Sequence, residues 1–108
     1  DEYIKDPYCG FVFTVNGYYH MFEGMKCLEK RKNRNKIRKD LPMLLVSGAD
    51  DPVGAFGKGV RKVYKEYTDD GIKDVTLRLY DGDRHEILNE TDRSQVYEDC
   101  YLWMDKNI

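Results

Sequence analysis

The sequence predicts an α/β fold built on a parallel strand–helix–strand–helix unit, and three observations predict it. Leu41-Pro-Met-Leu-Leu-Val-Ser-Gly48 is a short, continuous apolar run ended by glycine, the pattern of a strand covered on both faces of a parallel sheet. Asp74 to Tyr80 alternates, with Val75, Leu77 and Leu79 on one face and Thr76, Arg78 and Tyr80 on the other, as in a half-buried strand near a sheet edge. Between the two runs, Val60, Val63, Tyr64 and Tyr67 recur at helical spacing. A strand–helix–strand connection of this length is a right-handed crossover, so the two strands run parallel.

The other elements follow in chain order. Asp1 to Phe13 carries Tyr3, Tyr8, Phe11, Phe13 and Pro7 and reads as irregular. Thr14 is a helix N-cap, followed by Tyr18, Met21, Phe22, Met25 and Leu28 on one helical face. Lys30 to Lys39, KRKNRNKIRK, is strongly basic with Ile37 as its one apolar residue; such runs are usually solvated helix ends and loops. Pro42 opens the first strand, where a missing N–H is tolerated. Ala49 to Gly54 is a turn, and Asp70-Gly71 stops the helix after it. After Asp81-Gly82-Asp83 and a histidine, Asp92-x-x-Gln95 resembles a capping box. Val96, Cys100, Trp103 and Met104 then form the apolar face of a last helix. The order is helix, strand, helix, strand, helix, without an internal repeat or a low-complexity linker.

The bulk properties exclude several classes. A chain of 108 residues is one domain or a piece of a larger one. The balance of 41% hydrophobic and 35% charged residues is that of a globular protein. A net charge of −2 gives no reason to expect nucleic acid as a partner. No apolar run approaches the roughly 20 residues of a membrane span, so no stable membrane insertion is expected. Cys9, Cys27 and Cys100 are too few and too scattered for a disulfide framework or a zinc motif. Cys27 and Cys100 are expected on apolar helix faces, reduced and non-catalytic, which points to the cytoplasm. No metal or cofactor is expected.

The chemistry is expected at the strand ends. In an open parallel sheet, ligands bind beyond the carboxyl ends of the strands. Asp51 follows Gly48 by three residues and His85 follows Tyr80 by five, so adjacent parallel strands bring the two loops side by side. An aspartate that accepts a hydrogen bond from one imidazole nitrogen fixes the tautomer and leaves the other nitrogen as a base. Asp51 and His85 are therefore candidate members of a Ser-His-Asp triad, in the acid-before-base order of one of its known arrangements. Glu86, Asn89 and Glu90 are expected to fix the histidine loop and cap the last helix. His20, beside Tyr19 in a helix, has no partner motif and reads as structural.

At these residues the chain resembles a known family. "PMLLVSGADDPVG", the "GKGV" after it, and "RHEILNE" are similar to the C-terminal part of α/β-hydrolases of the monoacylglycerol lipase and lysophospholipase-like group, the serine aminopeptidase (S33-like) hydrolases. The resemblance implies that Asp51, directly before Pro-Val-Gly, is the triad acid, with Asp50 as its competitor, and that His85 is the triad base. It implies a C-terminal βαβα part of a hydrolase core over 41–108. Residues 1–40 would be the end of a cap, or lid, and the helix leading back to the sheet. A small-molecule ester or lipid would be the substrate of the full-length protein.

The family's G-x-S-x-G nucleophile elbow has no counterpart here: Ser47 stands in V-S-G-A and Ser94 in R-S-Q-V. The expectation is the C-terminal fragment of a longer serine hydrolase, inert by itself. Its first strand would pair with the missing N-terminal half, or else self-associate through an exposed edge. The alternative is a non-catalytic α/β binding or regulatory module, such as a receiver-like domain using Asp50 and Asp51 for Mg²⁺. Against it, no matching lysine-bearing strand follows.

Overall fold

The computed structural model describes residues 2–107. The chain divides into two compact units, Asp1–Arg34 and Asn35–Ile108.

In the first unit, α1 (Glu2–Lys5) is a single turn within the stretch expected to be irregular. Thr14 caps α2 (Val15–Glu29): its backbone is extended, at φ −70° and ψ 152°, and its hydroxyl accepts the Gly17 N–H at 3.0 Å. One orphan donor of the first turn is thereby satisfied. Phe11, Phe13, Tyr18 and Phe22 line up with ring centroids 5.8, 5.2 and 6.3 Å apart. The apolar stripe of α2 forms as its spacing predicts, yet Tyr18, Met21, Phe22, Met25 and Leu28 all remain exposed. A second short turn, α3 (Arg31–Arg34), follows at once. The reversal swings Asn33 back onto α2, where its amide donates to the Cys27 carbonyl at 2.7 Å and Sγ at 3.2 Å. Cys27 is therefore exposed and faces a polar partner, not the apolar surface expected of it.

The second unit holds β1 (Met43–Gly48), α4 (Lys58–Asp69), β2 (Val75–Tyr80) and α5 (Arg93–Asn107). The strands pair in parallel, from Met43 opposite Val75 to Gly48 opposite Tyr80. Both strands thus end at the same level. Gly71, at φ +89°, closes α4 with its N–H on the Thr68 carbonyl, and Ile72 returns its N–H to Tyr67, a left-handed stop that suits glycine. Ile72 is then buried, at 3% exposure.

The two faces of the sheet are covered by different helices. Leu79 lies against Gly57, at the start of α4. The next residue points the opposite way, and the Tyr80 hydroxyl donates to Asp99 Oδ2 on α5 at 3.0 Å. Arg78, on the same face, reaches that oxygen at 3.4 Å. The Thr76–Arg78–Tyr80 face expected to be the wet one therefore ends in a buried tyrosine. Burial, then the bond and charge of Asp99, push its phenol up to about 12. The β1 side chains before Gly48 are half-buried, less than their apolar run suggested, because β1 has a strand partner on one side only among the described residues.

Val96 of α5 is fully buried. The expected capping box at its start does not form as drawn. The Gln95 amide reaches forward to Asp99 at 3.1 Å. The backbone bond from Gln95 N–H to the Asp92 carbonyl, 2.8 Å, closes the turn.

Candidate active site

The site begins in the backbone beyond the strand ends. The Ala49 N–H donates to the Tyr80 carbonyl at 2.8 Å and the Asp50 N–H to the Asp83 carbonyl at 2.9 Å, so the strand ladder continues as a seam between the two loops. Gly48 makes the seam possible. A Cβ there would stand 2.2 Å from the Asp83 carbonyl oxygen and 2.3 Å from that of Arg84, so only a residue without a side chain fits. This close approach delivers the two loops to one place.

On the first loop, Asp51 is 5% exposed. Its Oδ1 accepts the Val53 N–H at 2.8 Å, an Asx-type turn on its own loop. Its Oδ2 lies 3.1 Å from Nδ1 of His85. The loop then winds left-handed through Ala55, Phe56 and Gly57, at φ 52°, 55° and 77°. Hydrogen bonds from Phe56 N–H to the Asp51 carbonyl (2.8 Å) and Gly59 N–H to the Gly54 carbonyl (2.9 Å) hold it there. Two non-glycine residues in that region are a local strain of about 1–3 kcal/mol each.

On the second loop, each residue flanking His85 is tied down. Glu90 Oε1 accepts the Arg84 backbone N–H at 3.2 Å and its Nε at 3.4 Å. The Asn89 amide donates to Glu86 Oε2 at 2.8 Å, and the Asn89 N–H to the Glu86 carbonyl at 2.7 Å. Tyr97 of α5 donates to the Leu88 carbonyl at 2.8 Å. Glu86, Asn89 and Glu90 thus each make a side-chain bond within the histidine loop. Among the described residues, none of these side-chain bonds caps the last helix. The His85 ring is exposed and lines an open depression of about 430 Å³ with Pro52, Arg84, Glu86, Asn89 and Glu90.

The hydrogen bond from His85, aided by the N–H groups of Val53 and Gly54, holds the Asp51 carboxyl below its usual range despite burial. An ionised Asp51 accepts from Nδ1–H of the imidazole, which leaves Nε2 to take or give a proton. Asp50, the competitor, is exposed, and its backbone N–H serves the seam. Ser47 donates to the Gly48 carbonyl at 3.4 Å and Ser94 lies in α5; no hydrogen bond joins either to His85 among the described residues. His20 is exposed and meets the edge of Tyr19 at 5.3 Å. Among the described residues no group of three or more His, Cys, Asp or Glu side chains is placed to hold a metal ion, and no helix is long and apolar enough to cross a membrane.

One residue of this region escaped the sequence reading. Asp83 is 4% exposed, and its carboxyl is pushed up by burial, by a hydrogen bond with Asp92, and by the charges of Asp92 and Glu90. The acidic spacing of Asp81, Asp83, Glu90 and Asp92 was visible, but nothing in it marked which side chain turns inward.

The family model for serine aminopeptidase S33 matches residues 1–92. The chain belongs to the S33 serine aminopeptidase family of α/β-hydrolases. A solved structure similar to this S33 chain is that of a highly thermostable carboxyl esterase from Bacillus coagulans, in complex with glycerol. The two share 27% identity with a TM-score of 0.85, over 95% of this chain and 34% of the esterase chain. The S33 chain therefore spans about a third of the length of that esterase, and its strand–helix–strand–helix unit is part of an α/β-hydrolase fold.

Proposed function

We propose that this chain supplies the acid and the base of a serine hydrolase acting on carboxylic esters, with Asp51 orienting His85. The nucleophile and oxyanion donors lie on the part of the fold that the chain does not span. The 3.1 Å contact between Asp51 Oδ2 and His85 Nδ1 carries the reading. The contact sits at the carboxyl ends of parallel strands and beside an open depression. The similarity to a carboxyl esterase supports the substrate class.

In this reading His85 Nε2 takes the proton of a serine hydroxyl as its oxygen adds to the ester carbonyl. Asp51 stabilises the imidazolium so formed. His85 then returns the proton to the departing alkoxide, and an acyl-serine remains. Water repeats the cycle, giving its proton to Nε2 and releasing the carboxylic acid. Asp51 stays ionised throughout, in keeping with its lowered carboxyl. Glu86, Asn89 and Glu90 support the loop and take no part in proton transfer. Residues 1–40 are assigned to the end of a cap over the substrate.

The experiment compares the 108-residue chain with a fusion in which it replaces the matching third of the Bacillus coagulans carboxyl esterase. The chain alone should leave p-nitrophenyl butyrate at its background rate, and the fusion should hydrolyse it in a His85-dependent way. Turnover by the chain alone that His85→Ala abolishes would overturn the division of labour. A folded fusion whose hydrolysis ignores His85 would overturn the role of the histidine.

A further inference from the structure

The ring of His85 is exposed, so core packing does not fix it; the path of its loop does. No helix or strand runs from Asp81 to Ile87. The loop leaves β2 at Tyr80, whose carbonyl accepts the Ala49 N–H at 2.8 Å and the Asp83 N–H at 3.4 Å. This one residue therefore holds the start of both loops of the site. Tyr80 is buried, and its hydroxyl donates to Asp99 Oδ2 on α5 at 3.0 Å. Asp99 is itself fixed: Arg78 reaches the same oxygen at 3.4 Å, and the Gln95 amide donates to Oδ1 at 3.1 Å. Burial and Asp99 push the Tyr80 phenol up to about 12, so the hydroxyl stays a donor at neutral pH.

The far end of the loop meets the same helix. The Tyr97 hydroxyl donates to the Leu88 carbonyl at 2.8 Å, a backbone acceptor that belongs to no strand ladder. Tyr97 is exposed, so the hydroxyl and not core packing makes this contact. The helix is a firm base for both tyrosines, because Val96 beside Tyr97 is fully buried. Tyr80 and Leu88 bracket His85 along the chain, and each is tied to α5 by one tyrosine hydroxyl.

We propose that Tyr80 and Tyr97 are positioning residues for His85: their hydroxyls fasten the two ends of the histidine loop to α5 and so hold the imidazole within reach of Asp51. The bearing of this on catalysis rests on the hydrolase reading; the fastening itself does not. With either hydroxyl gone, the loop keeps its other bonds, but the ring meets Asp51 for less of the time. The bond to Asp51 is what selects the Nδ1–H tautomer. A looser loop therefore shifts the neutral ring toward the Nε2–H form, which has no lone pair on Nε2 to take a proton.

The chemical shifts of the two His85 ring nitrogens test this. Read in the 108-residue chain at a pH where the ring is neutral, they give the ratio of the two tautomers. Tyr97→Phe and Tyr80→Phe should each lower the ratio of Nδ1–H to Nε2–H about fivefold, the factor that one net hydrogen bond carries. Tyr101→Phe, which removes another exposed hydroxyl from α5, should leave the ratio native. A native ratio in Tyr97→Phe or Tyr80→Phe overturns the proposal, as does an equal fall in Tyr101→Phe. Where Tyr80→Phe does not fold, Tyr97→Phe decides alone. In the esterase fusion, the same two variants should lower kcat about fivefold at unchanged KM. A higher KM at unchanged kcat overturns the link to catalysis. The tautomer ratio is read without turnover, so a fusion without His85-dependent hydrolysis would sink the hydrolase reading and leave the fastening standing.

Discussion

Two buried aspartates stand on neighbouring loops a few residues beyond the same pair of strands, and their environments drive them in opposite directions. Asp51 meets an imidazole and two backbone N–H groups, and its carboxyl is held down. Asp83 is buried with the acidic Asp92 and Glu90 as its charged neighbours, and its carboxyl is pushed up. Burial opposes the charge in both cases; what differs is whether the partner donates or accepts. The loops differ in backbone too. The Asp51 loop bends left-handed through Ala55 and Phe56, whereas the histidine loop makes its left-handed turn at Gly82. One loop holds a charge ready for a proton carrier, at some conformational strain. The other turns at a glycine and carries a carboxyl whose charge is disfavoured by burial and acidic neighbours. Opposed carboxyls of this kind mark acid and base assignments elsewhere.

The sharpest way to break this contrast is to remove the proton carrier. In the esterase fusion, His85→Ala should lower kcat by about 10⁶-fold, and Asp51→Asn, which keeps the ring but misassigns its tautomer, by about 10⁴-fold. Esterase rates measured at saturation check both. If Asp51→Asn costs less than tenfold, Asp51 is an ordinary turn former and the contrast with Asp83 loses its functional half.

The next effect is structural. Gly48→Ala drives a methyl into two carbonyls and should destabilise the chain by about 3 kcal/mol, read as a lower urea midpoint. A tolerated substitution would mean that the seam is looser than its distances.

Acid titration then isolates the Asp51 carboxyl. Asp51 binds its proton less tightly folded than unfolded. Its contribution is present above the ordinary carboxylate range and lost as pH falls through the lowered folded value. Asp51→Asn should flatten the acid limb of the stability curve, with midpoints followed by Trp103 fluorescence. The smallest effect expected is on backbone strain. Ala55→Gly should stabilise by about 1 kcal/mol, because φ 52° suits glycine.

Most of the architecture was legible because it is written in local patterns. The run into Gly48, the alternation to Tyr80 and the Thr14 cap each name their element without reference to anything distant. The Asp51–His85 meeting was legible too, since parallel strands of equal length must present their following loops together. What the sequence hid depends on which surface a side chain meets. Tyr80 looked like the wet face of an edge strand until Asp99 of α5 covered it. Gln95 looked like half of a capping box until its amide turned forward to Asp99. Cys27 kept its helical position, but Asn33, brought round by a single turn at Arg31–Arg34, made that position polar. Asp83 carries no motif at all; its character comes from burial, which composition does not encode.

The register of the two strands has a kinetic consequence. His85 and Asp51 are 34 residues apart in the chain, and closing a loop of that size costs about 3 kcal/mol before any contact within it repays the loss. The helix capped by Thr14 needs no such closure. The dyad can therefore be populated only to the extent that the β1–β2 pair is, and it should appear after the local helices during refolding. The Nδ1 proton of His85 is then a built-in clock for the slowest non-local step. Its resonance should emerge with the amide protection of the seam, well behind the far-ultraviolet signal of the helices.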